Sequence, residues 1–298
     1  MPRMARVDYP GALHHLIVRG IERRIIFEDD ADRGSFVRRL ESVLRDTNTP
    51  CFAWALIPNH IHLLLVTGKI PIGRVMQRVL TGYAADFNRR HRRSGHLFQN
   101  RYKSVLCDKD AYLLELVRYI HLNPLRARQA ETPRELEGFP WSGHAVILGR
   151  RTHDWQDTDE VLGLFGKRRS NARRAYREFV LTGIEQGKRP DLTGGGLIRS
   201  LGGWVEVIRA RREKRRELAD ARILGDGAFV ENVLRHIEER ESQAGQLKRK
   251  GWNPDKVMAR AAGACRMSVE NLRGNRKYPE VSRARGLACF WMVEHLGE

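Results

Sequence analysis

Two short apolar runs, Cys51 to Ile57 and His60 to Thr67, are separated only by Pro58-Asn59. Runs of that length around a Pro-Asn turn signal read as two strands folded back on each other. They fix the frame for what flanks them. The apolar and basic run Leu13 to Arg19 reads as a first strand. A helix is expected from Asp30 or Asp32, where acidic residues suit the positive N-terminal end. Its apolar stripe is Phe36, Val37, Leu40, Val43 and Leu44. Ile72 to about Arg90 carries a second amphipathic helix, and Leu97 to Cys107 a further strand or strand pair. Lys109 to Leu122 reads as a third helix that Pro124 helps to end. The order strand, helix, strand, strand, helix, strand predicts an α+β fold: a ferredoxin-like split βαβ antiparallel sheet with helices on one face, the third helix being added after it.

Beyond Trp155 the texture becomes helical and strongly charged, which predicts three parts: a domain over 1–150, a charged helical connecting region over 151–228, and a helical basic region over 229–298. Val161 to Gly187 reads as two helices with Lys167-Arg168-Arg169 between them. Thr193-Gly194-Gly195-Gly196 and Gly202-Gly203 mark turns, and Arg209 to Arg222 mixes both charge signs as a solvated helix face does. A fragment ending near Gly149 is expected to hold the whole sheet and the third helix.

A formal net charge of +18 over 298 residues, with a sequence pI near 10.4, points to a polyanionic partner. Each phosphate contact releases condensed counterions, so clustered basic residues favour nucleic acid. The run Arg89-Arg90-His91-Arg92-Arg93, followed by Arg101 and Lys103 with Phe98 and Tyr102 interleaved, offers backbone charges and stacking faces for unpaired DNA. Cys51, Cys107, Cys265 and Cys289 are scattered, which signals neither a zinc ribbon nor a disulfide framework. The basic start has no apolar signal core, and no apolar run is long enough for a bilayer, so a reducing cytoplasm and no membrane partner are expected.

Chemistry concentrates at two places. His60 and His62 lie two apart on a strand, so both imidazoles point to one face. Placing two imidazoles in an apolar strand costs desolvation unless something offsets it. Tyr119 and Asn123 lie four apart in a helical pattern and share a face as well. Two metal-capable nitrogens, an amide oxygen and a phenolic nucleophile are the parts for cutting and rejoining a phosphodiester through a protein–DNA bond. Each part has a plainer reading: Tyr119 as a core tyrosine with its hydroxyl at the rim, Asn123 as a helix end. His121 is turned away from the face of Tyr119, whereas Glu115, one turn earlier, shares it and either tunes the site or sits at its edge.

The segments Pro58 to Leu64, Gly95-His96-Leu97-Phe98-Gln99-Asn100-Arg101-Tyr102-Lys103 and Arg118-Tyr119-Ile120-His121-Leu122-Asn123-Pro124-Leu125-Arg126-Ala127 resemble the single-tyrosine HUH transposases, specifically the REP-associated tyrosine transposase branch. The resemblance covers roughly the first half of the chain. It implies a divalent-metal endonuclease and strand transferase acting on single-stranded DNA next to a hairpin. Tyr119 would be the nucleophile that forms a 5′-phosphotyrosine, His60 and His62 metal ligands, and Asn123 the third ligand. Three neutral ligands leave a Mg²⁺ or Mn²⁺ its full charge, and no nucleotide cofactor is needed. The competing expectations are a non-catalytic DNA-binding regulator that kept the fold, and a metal-dependent hydrolase without a covalent step.

The tail carries a second resemblance. Met258 to Val293, through Met267 to Leu272, Arg273-Gly274-Asn275-Arg276-Lys277 and Val281 to Arg285, is similar to the start of the DNA-binding domain of the bacterial replication initiator DnaA. It implies that Arg276, Lys277, Arg283 and Arg285 contact phosphate or the minor groove. The likeness ends before that family's helix-turn-helix, so duplex contact without major-groove readout is expected, with a helical packing module as the alternative.

Overall fold

The computed structural model describes residues 6–187, 189, 192, 220–274 and 278–296. The expected segments Thr193 to Gly196, Gly202-Gly203 and most of Arg209 to Arg222 lie outside these residues, as do Arg276 and Lys277. Two compact units emerge, Met1–Val230 and Glu231–Glu298.

The first unit opens with β1 (Leu13–Arg19), α1 (Asp30–Thr47), β2 (Cys51–Ile57), β3 (His60–Val66), α2 (Ile72–Arg90) and β4 (Lys103–Cys107). Their ends follow local chemistry. Asp29 caps α1 by accepting from the Asp32 amide at 3.0 Å, and Asn48 closes it in the left-handed conformation that asparagine tolerates. β3 pairs antiparallel with β2 and β1, and β1 with β4. The resulting order β2-β3-β1-β4 is that of the expected split βαβ sheet.

Alternation along the strands, broken in β2 by a register shift between Cys51 and Ala53, sends residues to two cores. Leu16, Val18, Trp54, Leu56, Ile61 and Leu63 pack against Phe36, Leu40, Val75, Val79 and Tyr83 of α1 and α2. These are the helices expected on one face. The other face is covered too. Leu13, Phe52, Ala55, Leu64, Val105 and Cys107 meet α3 (Lys109–His121) through Leu113, Leu116, Val117 and Ile120. The short α4 (Asn123–Arg126), α5 (Pro133–Gly138), α6 (His144–Ile147), α7 (Asp159–Gly163) and α8 (Arg169–Thr182) follow.

Two expectations are revised. Of the stretch Leu97 to Cys107 only Lys103–Cys107 is a strand; Phe98 makes a single bridge to Gly20, and Tyr102 is turned inward beneath the Arg6 guanidinium, 3.8 Å from the ring centroid. The charge-dense stretch after residue 150 is part of the first unit rather than a connector. The amide side chain of Gln156 accepts from the Trp54 indole at 2.9 Å and donates to the carbonyls of Phe52 and Gly143. β5 (Ile223–Leu224) adds a fifth strand parallel to β4, with the Leu106 and Asp108 amides donating to Arg222 and Leu224 at 2.8 Å. High surface charge therefore hid an apolar face: Val161, Tyr176 and Val180 are fully buried.

α9 (Gly227–Arg249) begins in the last residues of the first unit, and the second unit continues with α10 (Pro254–Ala264), α11 (Val269–Arg273) and α12 (Pro279–Trp291). Asn253 and Ser268 cap α10 and α11. Its core is small, built on Ala262, Leu272 and Ala284. No helix among the described residues is long and apolar enough to cross a membrane.

Candidate active site

β3 and α3 bring His60, His62 and Tyr119 to one face of the sheet, the face opposite α1 and α2. The His60 and His62 ring centroids are 5.1 Å apart, and the Tyr119 ring stands edge-on to His62 at 5.8 Å. α3 ends at Leu122, so Asn123 opens α4, yet its amide nitrogen donates to the Tyr119 carbonyl at 2.9 Å. That bond leaves Oδ1 as the atom able to ligate.

Each histidine is oriented through Nδ1. His60 donates to Asn59 Oδ1 at 2.7 Å, and Asn59 is itself held by donating to the Arg23 carbonyl. His62 Nδ1 lies 3.0 Å from Nε2 of His15, a wholly buried residue of β1. His15 also stands edge-on to Tyr119 at 5.8 Å. Sequence reading missed His15, although the pattern His14-His15 beside Arg19 in the first strand was the available signal. Burial, with Arg19 nearby, pushes His60 down to about 4; burial, then His15, His60 and Arg19, pushes His62 well below its ordinary value. Both imidazoles are neutral at pH 7. Among the described residues no group of three or more His, Cys, Asp or Glu could hold a metal. His60, His62 and the Asn123 amide oxygen are the groups here that could hold a divalent ion, and Asn59 and His15 fix the two imidazoles.

Glu115 is engaged elsewhere: both carboxylate oxygens accept from Arg118 at 2.6 Å, and Arg189 donates to it at 2.8 Å. His121 faces away from the site, as its position implies. Its Nδ1 lies 2.7 Å from the Tyr176 hydroxyl, which also meets His144 Nδ1 at 2.8 Å. This buried triad ties α3 to α6 and α8. Burial holds His121 well below its ordinary value and His144 at about 3. Both take a proton on unfolding below about pH 6.5, so the unfolded state binds more protons. Stability is expected to fall as pH drops from 7 to 5, by up to about 1.4 kcal/mol per unit for each histidine. Urea midpoints measured across that range check it; an unchanged midpoint contradicts it.

The expected DNA contacts divide. Arg89 is exposed beside Asp86, Arg92 is exposed, and Arg93 lies 5.6 Å over the Phe87 ring. Arg90, by contrast, is bound to Asp29 and the buried Asp32, so it anchors the start of α1. Arg101 and Lys103 are exposed near the β4 start. In the second unit Arg283 is exposed, whereas Arg285 donates to the backbone carbonyls of Asn271, Leu272 and Gly274 and closes α11.

Residues 9–123 match the family described as "Transposase IS200 like". Among solved structures the chain is similar to "Structure of the REP associates tyrosine transposase bound to a REP hairpin", at 16% identity and a TM-score of 0.42, covering 53% of this chain and 94% of that one. No curated protein matches the chain.

Proposed function

We propose that the protein cuts and rejoins single-stranded DNA near hairpins through a 5′-phosphotyrosine on Tyr119, with a divalent metal held by His60, His62 and Asn123. The observation that carries this reading is the approach of the Tyr119 ring to the paired imidazoles of His60 and His62, with Asn123 hydrogen-bonded to the Tyr119 carbonyl, on elements fixed by the sheet and by the buried His121–Tyr176–His144 contact. Bound there, Mg²⁺ or Mn²⁺ would neutralise charge on the attacked phosphate. Tyr119 Oη forms a bond to phosphorus and the bond to the 3′ oxygen breaks. That oxygen leaves with the electron pair and takes a proton from water, while the phenolic proton passes to solvent. A free 3′-hydroxyl reverses the step, since the phosphotyrosine ester conserves the energy of the original bond. Arg89, Arg92, Arg93, Arg101, Lys103 and Arg283 supply backbone attraction, which positions a strand without naming its bases.

Incubation with hairpin-bearing single strands and Mg²⁺ or Mn²⁺, followed by denaturing electrophoresis, tests the reading through a protein–DNA species. A nicked strand without adduct would favour simple hydrolysis; binding without cleavage, a regulator. His60→Ala and His62→Ala are each expected to lose cleavage and metal binding by calorimetry. Asn123→Ala should weaken both, because water partly replaces an amide oxygen. His15→Ala should lower metal affinity about 10–100-fold, as loss of an outer-shell partner does. Cleavage that survives a chelator, or normal metal binding in His60→Ala and His62→Ala, would overturn the ligand assignment.

A further inference from the structure

We propose that Arg126 is a phosphate-gripping catalytic residue of the Tyr119 site, its guanidinium donating to a non-bridging oxygen of the phosphodiester that Tyr119 attacks. The inference rests on the reading of Tyr119 as nucleophile and adds a residue to it.

Arg126 closes α4, one turn beyond Asn123, and its Cζ lies 5.3 Å from the Tyr119 ring centroid. The neighbouring cations already have a carboxylate partner: Arg118 and Arg189 share Glu115. Arg126 is different. Its Nη1 is buried with no hydrogen-bond partner, and among the described residues no carboxylate pairs with it. Burial lowers its pKa, and the nearby Arg189 and Arg118 add to that, yet arginine stays protonated at neutral pH. A half-buried guanidinium with an orphaned N–H is costly to hold. A cation–π contact with Tyr119, worth about 0.5–2 kcal/mol, gives Nη1 no hydrogen-bond acceptor. An anion satisfies it. Of the anions this site could meet, a phosphodiester oxygen fits best, because the planar donor fork matches phosphate oxygens and lies beside the attacking residue.

In the displacement written above, negative charge builds on the non-bridging oxygens as Oη approaches phosphorus. A fixed guanidinium donor there acts as an oxyanion donor does. Arg126 moves no proton; it binds the phosphate and stabilises its developing charge.

The test uses the full chain and the strand on which the wild type forms an adduct, its cut linkage mapped from the released 3′ end. Arg126→Gln is expected to slow single-turnover adduct formation about 100-fold or more. It should also reduce the salt slope of binding by about 0.7. Arg126→Lys should recover part of the rate, as the charge returns without the fork. A second strand carries a neutral methylphosphonate at the mapped linkage. On it, wild type and Arg126→Gln should bind equally, because the anionic oxygen that Arg126 grips is gone. Adduct formation by Arg126→Gln within about threefold of wild type overturns the proposal. An affinity deficit of the same size on both strands overturns it too, and assigns Arg126 to packing or general attraction. No adduct from wild type on any strand would instead remove the nucleophile reading itself, and this inference with it.

Discussion

Tyr119→Phe is expected to abolish the covalent protein–DNA species, a fall of about four orders of magnitude or more in the rate of adduct formation, because no other atom of the side chain can form the ester. DNA affinity should stay within about fivefold of wild type, since one lost hydrogen bond is worth about 1 kcal/mol and the binding surface is mainly cationic. Folding should be unaffected. The ring contacts to His15 and His62 and the Arg126 guanidinium involve the aromatic face and edge, which phenylalanine keeps. Denaturing electrophoresis reads the adduct, and filter binding the affinity. An adduct of normal yield in Tyr119→Phe would remove Tyr119 from the mechanism.

How much of this was legible depended on whether the signal was local. The hairpin around Pro58-Asn59, the alternation that puts His60 and His62 on one face, and the stripe of α1 are short-range patterns, and the structure reproduces their bounds. Asn123 near Tyr119 was legible too, although the helix breaks between them. Long-range pairings were not. His15 meets His62 only because β1 lies beside β3, a register that spacing in the sequence does not encode. Arg90 sits in a basic run that reads as a DNA contact, yet Asp29 and Asp32, far away in the chain, claim it. Arg285 is claimed in the same way by carbonyls of α11. Charge density marks where a chain is basic; it does not say which charges are already neutralised.

The same blindness to distant pairing sets the second large prediction, which concerns where the catalytic unit ends. A fragment ending near Gly149 keeps β1 to β4 and α3, but it loses the side chains that cover the Tyr119 face. Val161, Leu162, Tyr176, Val180 and Leu224 are all buried in the first unit on that face. At about 1.5–3 kcal/mol for each large apolar side chain, their loss removes about 10 kcal/mol. The whole stability of a domain is about 5–15 kcal/mol. Truncation there also strips Gln156 from the Trp54 indole and leaves His121 without the Tyr176 hydroxyl, so buried donors and acceptors lose their partners. The 1–149 fragment is therefore expected to lack a cooperative urea transition and to form no adduct. A fragment ending at Val230 keeps these contacts and should unfold cooperatively and cut single strands. If 1–149 unfolds with a midpoint near that of 1–230, the residues after 150 are a removable cover rather than part of the core.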